Sequence, residues 1–85
     1  MYKKIKKIYK YTVIFEPVEE GGYVVHVPVL PGCTTQGETF EDAKEMAKDA
    51  IKAYISVLQE DGEPIPVESE ETIESKILVP IYAKA

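Results

Sequence analysis

Eighty-five residues with a formal net charge of −5 and a single cysteine make one small domain and exclude an internal disulfide or a cysteine-built zinc cluster. No apolar run approaches the roughly eighteen residues of a membrane span, and the start lacks the apolar core of a secretion signal, so a cytoplasmic protein is expected. Charge is uneven: residues 1–10 hold five lysines and no acid, the remainder five lysines against fifteen acids, a net of −10, and there is no arginine.

An acidic chain without the planar, bidentate guanidinium is poorly equipped to read bases or phosphates, so direct nucleic-acid binding is not expected. The acidic body suits a basic protein partner. Residues 1–7 read as a basic, disordered arm on a single domain of residues 1–85. The interleaving of Tyr2, Tyr9 and Tyr11 with lysines leaves an RNA-contacting strip as its alternative.

Strict alternation over Tyr11–Glu16 predicts a first strand, extended back toward Ile8 and stopped by Pro17. Tyr11, Val13 and Phe15 share one face; Thr12, Ile14 and Glu16 share the other. Glu19-Glu20-Gly21-Gly22 supplies the turn into a β-branched and aromatic second strand, Tyr23–Val27, closed by Pro28. Pro31-Gly32 turns the chain again, and Cys33–Gln36 is the third strand. Thr39 is placed as a helix N-cap worth about 1 kcal/mol, with Glu41 and Asp42 in the first turn where the dipole favours acids.

Ala43, Ala47, Ala50, Tyr54 and Leu58 then recur every three or four residues, widened by Met46, Ile51 and Ile55. Three alanines on that stripe imply close approach of the helix to a sheet. Gly62 is the residue after the helix end, and Pro64 and Pro66 bar its continuation. An acidic connection follows: Glu60, Asp61, Glu63, Glu68, Glu70, Glu71 and Glu74, seven acids with no base among them. Lys76–Ala83 predicts a final strand whose Pro80 suits an edge. The class is α+β, β-β-β-α-β. The right-handed crossover rule permits sheet order 3-2-1-4 with the helix on one face.

His26 is the sole histidine. Alternation sets it with Val24 and Pro28 on the helix-free face, more consistent with a surface or interface position than with a general base. Cys33 has no flanking base to activate it and reads as a small buried apolar residue. Gly21, Gly22 and Gly32 read as turn residues, since no phosphate-loop spacing accompanies them. No metal, cofactor or catalytic residue is assigned.

The run Gly21-Gly22-Tyr23, then Pro28, Leu30-Pro31-Gly32-Cys33, Thr35-Gln36-Gly37, Thr39 and Ala43 resembles the signature of the HicB-like antitoxin family. A weaker likeness extends from about Tyr11 to Pro66. The resemblance implies a truncated ribonuclease-H-like fold and a non-catalytic inhibitor. Its partner would be a small, basic, HicA-like toxin of double-stranded-RNA-binding fold that cleaves messenger RNA.

Relatives often carry a C-terminal DNA-binding domain. This chain reads as a short member without one, and it has Val29 where relatives usually place an acid. True ribonuclease-H-like enzymes carry clustered carboxylates on central strands, whereas only Glu16 is available here, so a metal-dependent nuclease is disfavoured. An orphan oligomeric structural or small-ligand-binding domain is the alternative to the inhibitor. A homodimer or higher oligomer is expected, because one helix covers one sheet face only. The seven acids of residues 60–74 are read either as the electrostatic face that meets a basic partner or as a solvated loop.

Overall fold

A computed structural model describes residues 8–69 and 73–83. Three short strands and one helix follow in chain order: β1 (Ile14–Pro17), β2 (Tyr23–His26), β3 (Thr34–Gly37) and α1 (Phe40–Glu60). The strands form an antiparallel meander, β1-β2-β3, with Phe15 opposite Val25 and Val25 opposite Thr35. The architecture is therefore α+β.

The first hairpin closes through Gly21 N–H to Val18 O (3.0 Å) and Val18 N–H to Gly22 O (3.1 Å). Two successive turns make the second corner, with Leu30 N–H donating to Val27 O and Cys33 N–H to Leu30 O. Pro31 and Gly32 are the two central residues of the latter turn, and Gly32 has φ +79°. This is the Pro-Gly pairing a type II turn requires. Because Cys33 completes that turn, β3 starts one residue later than the predicted Cys33–Gln36.

The helix begins where expected. Thr39 is extended and its Oγ1 accepts the Asp42 N–H at 3.0 Å. It ends with Gly62 N–H on Gln59 O and Glu63 N–H on Leu58 O, Gly62 taking φ +69°. That double closure satisfies two of the last carbonyls.

The core is small. Val25, Ala43 and Ala47 form one cluster, packed by Val13, Phe15 and Tyr23. Val27, Leu30 and Cys33 form a second, covered by Tyr11, Ala50, Ile51 and Tyr54 among others. Leu30 is fully buried, so the Leu-Pro-Gly-Cys corner is a plug that seals the lower half of the sheet against the helix. Phe40 caps the upper end, its ring 4.8 Å from that of Phe15 and 5.9 Å from that of Tyr23. Met46 remains 44% exposed, so the predicted apolar stripe is wider than the face the sheet covers.

Two further predicted elements differ. Tyr11–Val13 keeps the expected alternation of faces but has no neighbouring strand, since β2 ends at His26; β1 is thus confined to Ile14–Pro17. Lys76–Ala83, predicted as a fourth strand beside β1, takes no part in the sheet. Its side chains are solvent-exposed and it has no strand partner among the described residues, which leaves order β1-β2-β3 rather than 3-2-1-4. The basic arm, residues 1–7, lies outside the described residues.

Candidate functional site

The signature residues converge on one structural unit. Gly37 closes β3 directly under the first turn of α1. A Cβ there would lie 2.5 Å from the Ala43 nitrogen and 2.6 Å from its Cα, so only glycine lets the helix backbone rest on the strand. Ala43 is completely buried at that contact. Gly22 has φ +86°, and a Cβ on it would meet Gly37 O at 2.7 Å. Tyr23, Gly22, Gly37 and Ala43 therefore form a chain of close backbone contacts that fixes the helix on the sheet. Gln36 is exposed beside them, and Pro28 and Pro31 are exposed at the opposite corner.

Cys33 is buried, and burial pushes its thiol pKa up, disfavouring the nucleophilic thiolate. His26 lies on the helix-free face as alternation placed it. Its Nε2 is 3.5 Å from Glu16 Oε1, an ion pair when the imidazole is protonated. Ile14, 42% exposed, shares that face with Val24, Glu16 and His26. Among the described residues, no three His, Cys, Asp or Glu side chains come together as metal ligands.

The described acids of residues 60–74 differ in setting. Glu60, Asp61 and Glu63 are exposed around the end of α1, whose last turn has no basic residue. Carboxylates beside the negative end of a helix macrodipole cost stability, about 0.3–1 kcal/mol each, so they concentrate negative potential there at the expense of the fold. Glu74 is exposed farther on, while Glu70 and Glu71 lie outside the described residues.

Glu68 turns inward. Its Oε1 accepts the Thr12 N–H (2.9 Å) and its Oε2 the Thr12 hydroxyl (2.7 Å), and these bonds hold the carboxyl below its usual pKa range. Tyr11 O–H donates to Pro66 O at 2.6 Å alongside. Burial, then the neighbouring Tyr9 and Glu68, raises the Tyr11 pKa and keeps that phenol a donor. The chain after the helix is thus clamped to the residues that lead into β1. Sequence reasoning counted Glu68 with the surface acids and missed this clamp, because nothing local marks a pairing 56 residues apart.

A concavity of about 470 Å³ lies between the β1 side of the sheet and α1. Tyr9, Tyr11, Val13 and Phe15 form one wall; Ala47 and Ile51, rimmed by Lys44, Lys48 and Lys52, form the other. The rings of Tyr9 and Tyr11 stack with centroids 6.1 Å apart. Among the described residues, no helix is long and apolar enough to cross a membrane.

Comparison with known proteins bears on all of this. The sequence profile of a family described as the HicB-like antitoxin of bacterial toxin–antitoxin systems matches residues 11–85. A UPF0150 protein of Thermoplasma acidophilum is 52% identical over 64 residues, covering 75% of this chain and 93% of its own length. Antitoxin HicB 1 of Photorhabdus laumondii is 47% identical over 66 residues, 78% of this chain and 43% of its own. Antitoxin HicB of Escherichia coli K12 is 43% identical over 60 residues, 71% of this chain and 44% of its own. The chain thus matches less than half the length of the two named antitoxins but most of the length of the UPF0150 protein. With the profile covering nearly the whole chain and identities above 40% over 60 to 66 residues, this chain belongs to the HicB-like antitoxin family.

Proposed function

We propose that this protein is a non-catalytic antitoxin that binds a small, basic, HicA-like toxin and neutralises its cleavage of messenger RNA. Family membership carries the reading. Two features of the molecule support it. Negative potential is concentrated at the end of α1, where Glu60, Asp61 and Glu63 oppose the helix dipole and have no basic neighbour in the last turn. The chain as a whole has a formal charge of −5, which favours encounter with a cationic partner. The reading places no catalytic role on His26, Cys33 or Glu16: the first and last are paired with each other, and the thiol is buried. Direct nucleic-acid binding forms no part of the proposal, in keeping with the absence of arginine from the sequence.

The contact surface includes Glu60, Asp61, Glu63 and Glu74, with Glu70 and Glu71 of the same acidic run. Glu68 acts in the fold rather than at the partner, because both its oxygens are taken by Thr12. The protein acts as a cytoplasmic homo-oligomer, and completion of the sheet to order 3-2-1-4, the truncated ribonuclease-H-like arrangement, belongs to the oligomer.

The test is a triple variant, Glu60→Gln, Asp61→Asn, Glu63→Gln, measured by stopped-flow association with the toxin across a salt series. It should associate more slowly with a shallower salt slope, while its unfolding midpoint is unchanged or raised, since the dipole penalty is gone. An unchanged on-rate and salt slope moves the contact surface away from the helix end.

A further inference from the structure

The groove beside β1 and the exposed C-terminal segment fit one another, and we propose that the segment 76–83 of a second copy fills the groove, so that two chains exchange their last strands in a closed dimer. This goes beyond the inhibitor reading and stands without it.

Four observations carry it. First, the segment is apolar yet lies in water: Leu78 is 96% exposed and Tyr82 97%, with Ile77, Val79 and Ile81 between 67% and 84%. Its two faces, Ile77-Val79-Ile81 and Leu78-Pro80-Tyr82, are both apolar, the pattern of a strand covered on both sides. Second, the groove has the matching form. It follows the open side of β1, which is an end strand of the sheet, and its walls are Tyr9, Tyr11, Val13 and Phe15 on one side and Ala47 and Ile51 on the other. Seven residues from Tyr9 to Phe15 and six from Ile77 to Tyr82 each span roughly 20 Å when extended.

Third, Pro80 suits this position. In a parallel pairing, residues 77, 79 and 81 direct their backbone groups to β1, and Pro80, with no N–H, faces the outer edge. Fourth, the segment does not occupy its own chain's groove: its side chains are exposed, and none of them lines that concavity. The chain is held at the entry to β1 by Tyr11 to Pro66 and Thr12 to Glu68. A projecting strand and an open groove on the same chain are complementary by a two-fold operation, which satisfies both copies and leaves no open end.

The full-length chain is examined by light scattering and by isotope-filtered NOE spectroscopy on an equimolar mixture of labelled and unlabelled protein. A dimer of twice the 9.5 kDa chain mass is expected, with intermolecular NOEs from the Ile77, Val79 and Ile81 methyls to Val13, Ala47 and Ile51. Val79→Asp should weaken the dimer by roughly a hundredfold or more, since exchange buries its carboxylate. It should leave the far-UV spectrum of the three strands and helix in place, because Val79 is exposed and belongs neither to its own chain's sheet nor to its core clusters. A monomer at micromolar concentration overturns the proposal, as does a dimer whose tail-to-groove NOEs are all intramolecular. A dimer indifferent to Val79→Asp overturns it equally.

Discussion

Replacing Gly37 by alanine tests whether the family signature is, at bottom, a steric device. The added methyl would sit 2.5 Å from the Ala43 nitrogen, 2.6 Å from its Cα and 2.9 Å from the Asp42 carbonyl carbon, where ordinary contact begins at 3.4 Å. Every one of those atoms is backbone, so no side chain can swing aside. The first turn of α1 must retreat by about 1 Å, which lifts Ala43 and Ala47 from Val25 and forfeits part of their dispersion contacts. Overpacking of this kind costs about 1–3 kcal/mol, and rigid neighbours put Gly37→Ala near the upper end.

A domain of this length has a total stability of about 4–13 kcal/mol. With a urea m-value near 1 kcal/mol/M, the unfolding midpoint should fall by roughly 2–3 M. Equilibrium urea denaturation followed by circular dichroism, at one fixed protein concentration because association adds to apparent stability, is the assay. Gly32→Ala is the comparison. It has φ +79° and nothing within 4 Å of a Cβ, so it carries only the left-handed backbone penalty of about 1–2 kcal/mol. A Gly37→Ala protein within about 0.5 kcal/mol of the parent, or milder than Gly32→Ala, would refute the steric reasoning.

Cys33 should react with a disulfide reagent far more slowly in the native protein than in denaturant, because it is buried and its thiol pKa is raised; equal rates would show the corner to be open. Cys33→Ser should cost about 1–3 kcal/mol by burying a hydroxyl among Val27 and Leu30, read from the same urea transitions. The Glu68 carboxyl has a folded pKa below its unfolded value, so its contribution to stability is complete above the ordinary glutamate range and is lost as pH falls through the lowered folded value. In Thr12→Val, which keeps the backbone N–H but not the hydroxyl, the Glu68 NMR titration midpoint should move up toward the usual range. An unmoved midpoint would show that the hydroxyl contact at 2.7 Å does not act on the carboxylate.

Some parts of this molecule are written in local sequence and others are not. Thr39 and Gly62 mark the helix ends through side-chain and backbone geometry that needs no distant partner, and both act as their residue types require. Pro31-Gly32 likewise dictates its own turn. By contrast, strand extent depends on a neighbour: Tyr11 to Val13 alternates correctly yet is not a strand, because no described strand lies beside it. Lys76–Ala83 has strand composition and finds no strand partner among the described residues.

Glu68 illustrates a third kind of limit. Seven acids in fifteen residues read as one charged surface, but two hydrogen bonds from Thr12 remove Glu68 from it, a pairing set by tertiary approach alone. The role of Gly37 was visible as a motif position, whereas its reason, backbone contact with Ala43, emerges only once the helix is seen lying on the strand.

The central claim, toxin neutralisation, is met most directly by measuring messenger-RNA cleavage by a small basic toxin-like protein, sought in the reading frame beside this gene, as this chain is titrated in. The account predicts a stoichiometric complex and cleavage abolished at equimolar ratio, with binding that weakens as salt rises. Undiminished cleavage in the presence of excess protein, with no complex formed at low salt, would contradict it.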